Sequence, residues 1–169
     1  MITLFTISKK ENRNCLFLVF TLILLSFTQV HAQKALLLEE FMKQEGENNT
    51  DLLKSLVYDN VATVILTDSK TQLIGEGFPQ KVSSNTNSLS SLKSGNNIFR
   101  TVKLLQINLN HETEKSAIRI NISELEGFSN LVYILINSEV PLTSEEVEKM
   151  VAGNEEGDVI LLFQINSNF

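Results

Sequence analysis

Tryptophan is absent from this 169-residue chain, and one Cys, two Pro, two His and two Tyr are all it has of four other informative residue types. A single cysteine, Cys15, forms no disulfide within the chain, so a disulfide-stapled scaffold is excluded. With His31 and His111 as the only imidazoles, zinc sites that need three His ligands are excluded too. The lack of Trp and the two Tyr leave little aromatic surface on which a sugar ring could stack. Seven glycines are too dispersed to form G-x-G-x-x-G or G-x-x-x-x-G-K-[ST], so the familiar phosphate-cradling loops are missing. Basic residues are also in deficit, with 14 Lys and Arg against 20 Asp and Glu. Non-specific nucleic-acid binding, which runs on counterion release by basic patches, is therefore not expected.

What is present begins with an export signal. Lys9, Lys10 and Arg13 precede an apolar run from Cys15 to Leu25, and Val30-His31-Ala32 offers small residues at −3 and −1 of a cut before Gln33. A basic start, a short apolar centre and a small-residue exit describe a secretory signal peptide. The run is short of the roughly 20 apolar residues that a membrane-spanning helix needs. Residues 1–32 are expected to be removed, leaving 33–169 as one exported domain, periplasmic or extracellular, with no stable membrane span. That portion has 11 basic and 19 acidic side chains, a net charge of −8, and no thiol. It is long enough to bury a core without covalent staples.

The periodicity of residues 33–169 predicts an α+β fold: two N-terminal helices, then a mixed sheet of about six strands with one strand–helix–strand unit near the C-terminus. Leu37, Leu38, Phe41 and Met42 make one helical stripe over Gln33–Gln44. Thr50 is a candidate N-cap for a second helix that buries Leu52, Leu53, Leu56 and Val57. Val61–Leu66 and Thr71–Phe78 flank Asp68-Ser69-Lys70 as a hairpin. Ile98 to Asn110 alternates with one slip of phase, which predicts a bulge near Leu104-Leu105 and a hairpin with Ile118, Ile120 and Ile122 turning at His111–Lys115. Leu131–Ile136 and Val159–Phe163 are continuous apolar runs, the mark of strands covered on both faces. Between them Thr143 and Glu146 form a capping box before Val147, Met150 and Val151, and Gly153 stops the helix. No internal repeat is visible.

Residues 79–97 stand out. Eleven of the eighteen from Gln80 to Asn97 are Ser, Asn or Thr, so this stretch reads as a long polar loop. Ser83, Asn85, Asn87, Leu89 and Leu92 are its candidate partner-binding residues.

Catalytic chemistry has thin support. His111 sits beside Glu112, with Ser116 as a conceivable partner. Ser90-Ser91-Leu92-Lys93 matches S-x-x-K, a spacing that a chain with this much Ser and Lys produces about once by chance. Asn154-Glu155-Glu156-Gly157-Asp158 is acidic without the spaced oxygen pattern of a Ca²⁺ loop. No catalytic, metal or cofactor residue is nominated. The expectation is an exported, non-catalytic protein that binds a protein partner or itself, with a small secreted hydrolase using carboxylates or His111 as the alternative.

Overall fold

The computed structural model describes residues 34–68, 70–154 and 157–166, and residues 1–32, expected from sequence to be a signal peptide, lie outside them. A two-residue strand β1 (Leu36–Leu37) leads into helices α1 (Leu38–Glu45) and α2 (Glu47–Tyr58). Then come β2 (Thr63–Thr67), β3 (Lys70–Ile74), β4 (Lys81–Asn85), β5 (Leu104–Leu109), β6 (Ile120–Asn121), β7 (Tyr133–Ser138), α3 (Ser144–Met150), β8 (Val151–Ala152) and β9 (Ile160–Ile165). The fold is α+β, and its main sheet is largely parallel with seven strands rather than six, in the order β1-β9-β7-β5-β4-β2-β3. Among the described residues only β2 and β3 pair antiparallel; β6 and β8 form a separate parallel pair.

Apart from β1, which pairs with β9, and the β3 hairpin, strands consecutive along the chain within the main sheet lie side by side: β2, β4, β5, β7, β9. Thr63, Lys81, Leu104, Tyr133 and Ile160 share one row of the sheet. The two rows that face the main core are Val64, Val82, Leu105, Ile134, Leu161 and Leu66, Ser84, Ile107, Ile136, Phe163, and all ten residues are buried.

Several expectations change here. The 79–97 stretch is not a loop. It supplies β4, in the interior of the sheet, followed by a 3₁₀ helix, Thr86–Lys93. Ser and Asn side chains compete for backbone hydrogen bonds, which fits this run to tight 3₁₀ turns better than to an α-helix. Val82 and Leu92 are fully buried, each contributing about 1.5–3 kcal/mol of transfer free energy. The bulge at Leu104-Leu105 and the hairpin with residues 118–122 are not formed. β5 runs without a bulge between β4 and β7, and Ile120-Asn121 pairs with Val151-Ala152 instead. The phase slip has another cause: Leu105, Ile107 and Leu109 face the main core, while Leu104 faces α1 and α2 on the opposite side. Both sides are covered at that point, so strict alternation is not required.

The helix bounds move too. α1 starts at Leu38 rather than Gln33, because Leu36-Leu37 pairs with Leu162-Phe163. Thr50 is no N-cap; it is buried within α2, and its hydroxyl donates to the Gly46 carbonyl at 3.0 Å. The hairpin of β2 and β3 and the capping box at Thr143 match expectation. β7 and β9 are parallel, with α3 in the connection between them.

Candidate functional site

The face of the sheet opposite the main core is only half covered. Leu38, Phe41, Leu53 and Leu56 of α1 and α2 pack on Leu104, Tyr133, Leu135 and Leu162. Toward the C-terminal ends of the strands, beyond this cluster, the same face turns polar. Asn85, Asn108, Asn137 and Gln164 occupy one register row across β4, β5, β7 and β9, with Ser83 and Gln106 in the row below. Ligand sites on parallel sheets characteristically lie at this end of the strands.

The amides form a connected ladder. Gln106 Nε2 donates to Asn108 Oδ1 at 2.7 Å, and Asn137 Nδ2 donates to the same oxygen at 3.2 Å. Asn108 Nδ2 donates to Ser83 Oγ at 2.9 Å. Asn166 Nδ2 donates to Asn137 Oδ1 at 2.8 Å, and Asn166 Oδ1 accepts from Gln164 Nε2 at 2.6 Å. The ladder holds each carboxamide in a fixed orientation, with little rotamer freedom left to lose when something binds.

At the β2 end lies a groove of about 360 Å³, with Ile65 and Thr67 on one wall, Ser83, Asn85, Asn108 and Asn137 along the floor, and Glu139 at the rim. Here the ladder is incomplete: Asn85 Oδ1 is buried yet accepts no hydrogen bond among the described residues, a condition shared only with Ser88 Oγ. Such an atom ordinarily costs about 1–3 kcal/mol unless something donates to it. Lys81 lies on the same face, at the end near the helices, and burial pulls its pKa below the ordinary lysine value.

The nominated residues 83–92 divide between the two faces. Ser83 and Asn85 lie in the groove. Asn87 is exposed on the 3₁₀ helix, while Leu92 and, partly buried, Leu89 pack into the main core. Alternation Ser83/Asn85 against Val82/Ser84 was the available signal for the groove. The other floor residues, Asn108 and Asn137, come from strands 23 to 54 positions away, and no local pattern links them.

Two other depressions are present. One of about 690 Å³ is bordered by Asn121, Ser123, Phe128, Asn154 and Asp158. Asn154 is committed to the turn it closes, donating to the Val159 carbonyl at 2.6 Å and accepting from the Val159 amide at 3.2 Å. Glu155 and Glu156 lie outside the described residues, among which no group of three or more His, Cys, Asp or Glu is placed to hold a metal. The other, of about 180 Å³, gathers Lys115, Ser116, Arg119, Glu146 and Lys149. Lys115 Nζ bridges Glu112 at 2.8 Å and Glu146 at 3.1 Å, and these partners, Glu112 foremost, raise its pKa. Ser116 Oγ donates to the Thr113 carbonyl at 3.4 Å, and His111 is exposed at the start of the 112–117 turn. Lys93, the cation of the S-x-x-K match, is paired with Glu124. Among the described residues, no helix is long and apolar enough to cross a membrane. Comparison with family models, curated proteins and solved structures finds no match to this chain.

Proposed function

We propose that this chain is an exported, non-catalytic binding module that holds an extended protein segment against the open amide face of its sheet. The observation that carries this reading is the buried, unpaired Asn85 Oδ1 at the end of an otherwise satisfied ladder. A primary carboxamide offers a donor and an acceptor side by side, the complement of a peptide group. Four strands present such groups in one row, at the 4.7–4.9 Å spacing of strands in a sheet. The absence of Trp and the presence of only two Tyr weigh against a sugar polymer, and the acidic balance against a nucleic acid. Export rests on the N-terminal signal pattern of residues 1–32.

The test is an array of immobilised, unstructured peptides of unbiased sequence beside an array of oligosaccharides, probed with labelled protein. Asn85→Ala removes the unpaired acceptor and no hydrogen bond made within the fold, so its melting temperature does not fall below that of the wild type. Retention on peptides should fall at least tenfold in Asn85→Ala. Equal retention by both proteins, or retention on the sugars alone, overturns the proposal.

A further inference from the structure

Among the described residues, the groove at the β2 end of the amide face has one ionisable side chain in its lining, Glu139 at the rim. The carboxamides of Asn85, Asn108 and Asn137 on its floor are neutral, as is the Ser83 hydroxyl. Glu139 is exposed, and its carboxylate enters no ion pair or hydrogen bond among the described residues.

The backbone that carries this carboxylate is fixed. The Glu139 amide donates to the Leu109 carbonyl at 2.9 Å, which continues the pairing of β5 with β7 past the end of β7. The buried Ser138 hydroxyl holds the turn that follows, donating to the Val140 carbonyl at 2.7 Å and accepting from the Val140 amide at 3.1 Å. The rim is therefore set before anything binds, and little backbone ordering remains to be lost there.

The polar groups of the groove leave acceptors over. One hydrogen of Asn108 Nδ2 goes to Ser83 Oγ and one of Asn137 Nδ2 to Asn108 Oδ1, whereas Asn85 Oδ1 receives none. Glu139 adds carboxylate oxygens and the charge. The complement is a group that only donates and is positive, which describes an ammonium or a guanidinium. Half-buried Ile65, on the β2 wall, offers an apolar surface as well. Lys and Arg divide in the same way, an aliphatic stem ending in a charged head.

Charge on the rest of the face points in the same direction. Lys81 shares the strand face of Asn85 on β4 but lies four residues earlier, about 13 Å away at the end near the helices. The open face is positive at that end and negative at the groove, so a basic side chain is favoured at the groove. The excess of carboxylates in the whole chain also draws in a cationic segment.

Resting on the reading of the amide face as a surface for an extended protein segment, we infer that Glu139 selects a basic residue in that segment. Backbone N–H groups of the segment turn to Asn85 Oδ1, and a Lys ammonium or Arg guanidinium seats against the Glu139 carboxylate with its stem along Ile65.

The test uses the array of unbiased peptides with every N-terminus acetylated, so that Lys, Arg and His side chains are its only cations. A second array carries the same sequences with Lys replaced by acetyl-lysine and Arg by citrulline, which keep the length and remove the charge. The wild type should retain the Lys and Arg peptides about tenfold more strongly than their neutral counterparts, the lower end for a hydrogen bond to a charged group. In Glu139→Gln that preference should disappear, and in Glu139→Lys it should pass to peptides with Asp or Glu. The Glu139 side chain makes no bond within the described fold, so both variants should keep the wild-type far-UV spectrum. Equal retention of basic and neutral peptides by the wild type, or a basic preference that survives in Glu139→Gln, overturns the inference and leaves the peptide-binding reading standing. Retention of no peptide overturns both.

Discussion

Asn108 and Ser83 meet across β5 and β4, the carboxamide Nδ2 donating to the hydroxyl oxygen at 2.9 Å. The oxygen of the same carboxamide accepts from Gln106 at 2.7 Å and from Asn137 at 3.2 Å, so one side chain ties three strands together above the helices. Asn108→Ala breaks all three contacts and leaves half-buried partners to find water. At about 0.5–1.5 kcal/mol net per bond, discounted for the solvent already present, a loss of roughly 1–3 kcal/mol is expected in urea denaturation. A loss near zero would show that the ladder is not structural.

Leu92 and Ser90 are two residues apart in the Thr86–Lys93 turn, yet only Leu92 is buried. Leu92→Ala should cost about 2–5 kcal/mol, the range for emptying a core leucine site. Ser90→Ala should stay within about 0.5 kcal/mol, as surface changes do. Chemical denaturation of both variants checks the pair. Equal, small effects would restore this segment to the status of a loop.

Gly153 has φ +77°, and a β-carbon built there would lie 2.2 Å from Asn121 Oδ1. That oxygen is not free to retreat, because it accepts from the Ser123 amide at 3.2 Å and from its hydroxyl at 2.8 Å. Gly153→Ala should therefore lower stability by about 1–3 kcal/mol, through backbone strain and displacement of Asn121. A thermal melt that matches the wild type would count against this packing.

Glu146 accepts from the backbone amide of Thr143 at 2.8 Å and from Lys115 at 3.1 Å, and these contacts, Thr143 first, hold its carboxyl below the ordinary carboxylate pKa. A depressed folded pKa stabilises above the unfolded value and is lost as pH falls through the folded one. Below about pH 4.5, the ordinary glutamate value, wild-type stability should drop more steeply than that of Glu146→Gln. Parallel curves of melting temperature against pH would refute this.

Where sequence reading succeeded, the determining interaction is local. The Thr143 capping box needs only a hydroxyl and a carboxylate three residues apart. The runs at Leu131–Ile136 and Val159–Phe163 are apolar at every position because both faces of those strands are covered, and adjacent residues record that directly. The β2–β3 hairpin likewise follows from turn chemistry between two extended segments.

The segments whose structure departs from expectation are those whose state is set by distant neighbours. Lys81–Asn85 has no strand-like composition, since Ser and Asn are poor β-formers, but flanking β2 and β5 satisfy its backbone on both edges. Parallel pairing between strands some 20–30 residues apart leaves no mark on either strand alone. The amide row is the sharpest case. Ser83, Asn85, Asn108 and Asn137 are ordinary polar residues in sequence, and only the sheet register brings them onto one face and into one groove.

What the sequence by itself determined is the chemistry on hand: no tryptophan, no histidine cluster, one cysteine near the N-terminus and an excess of carboxylates. Composition is independent of folding, so those exclusions need no coordinates. Only the tertiary structure decided where the remaining polar groups converge, because α1 and α2 cover one half of a sheet face and leave the other half open. Which half stays open depends on packing between residues far apart in the chain, and that information lies in no single stretch of it.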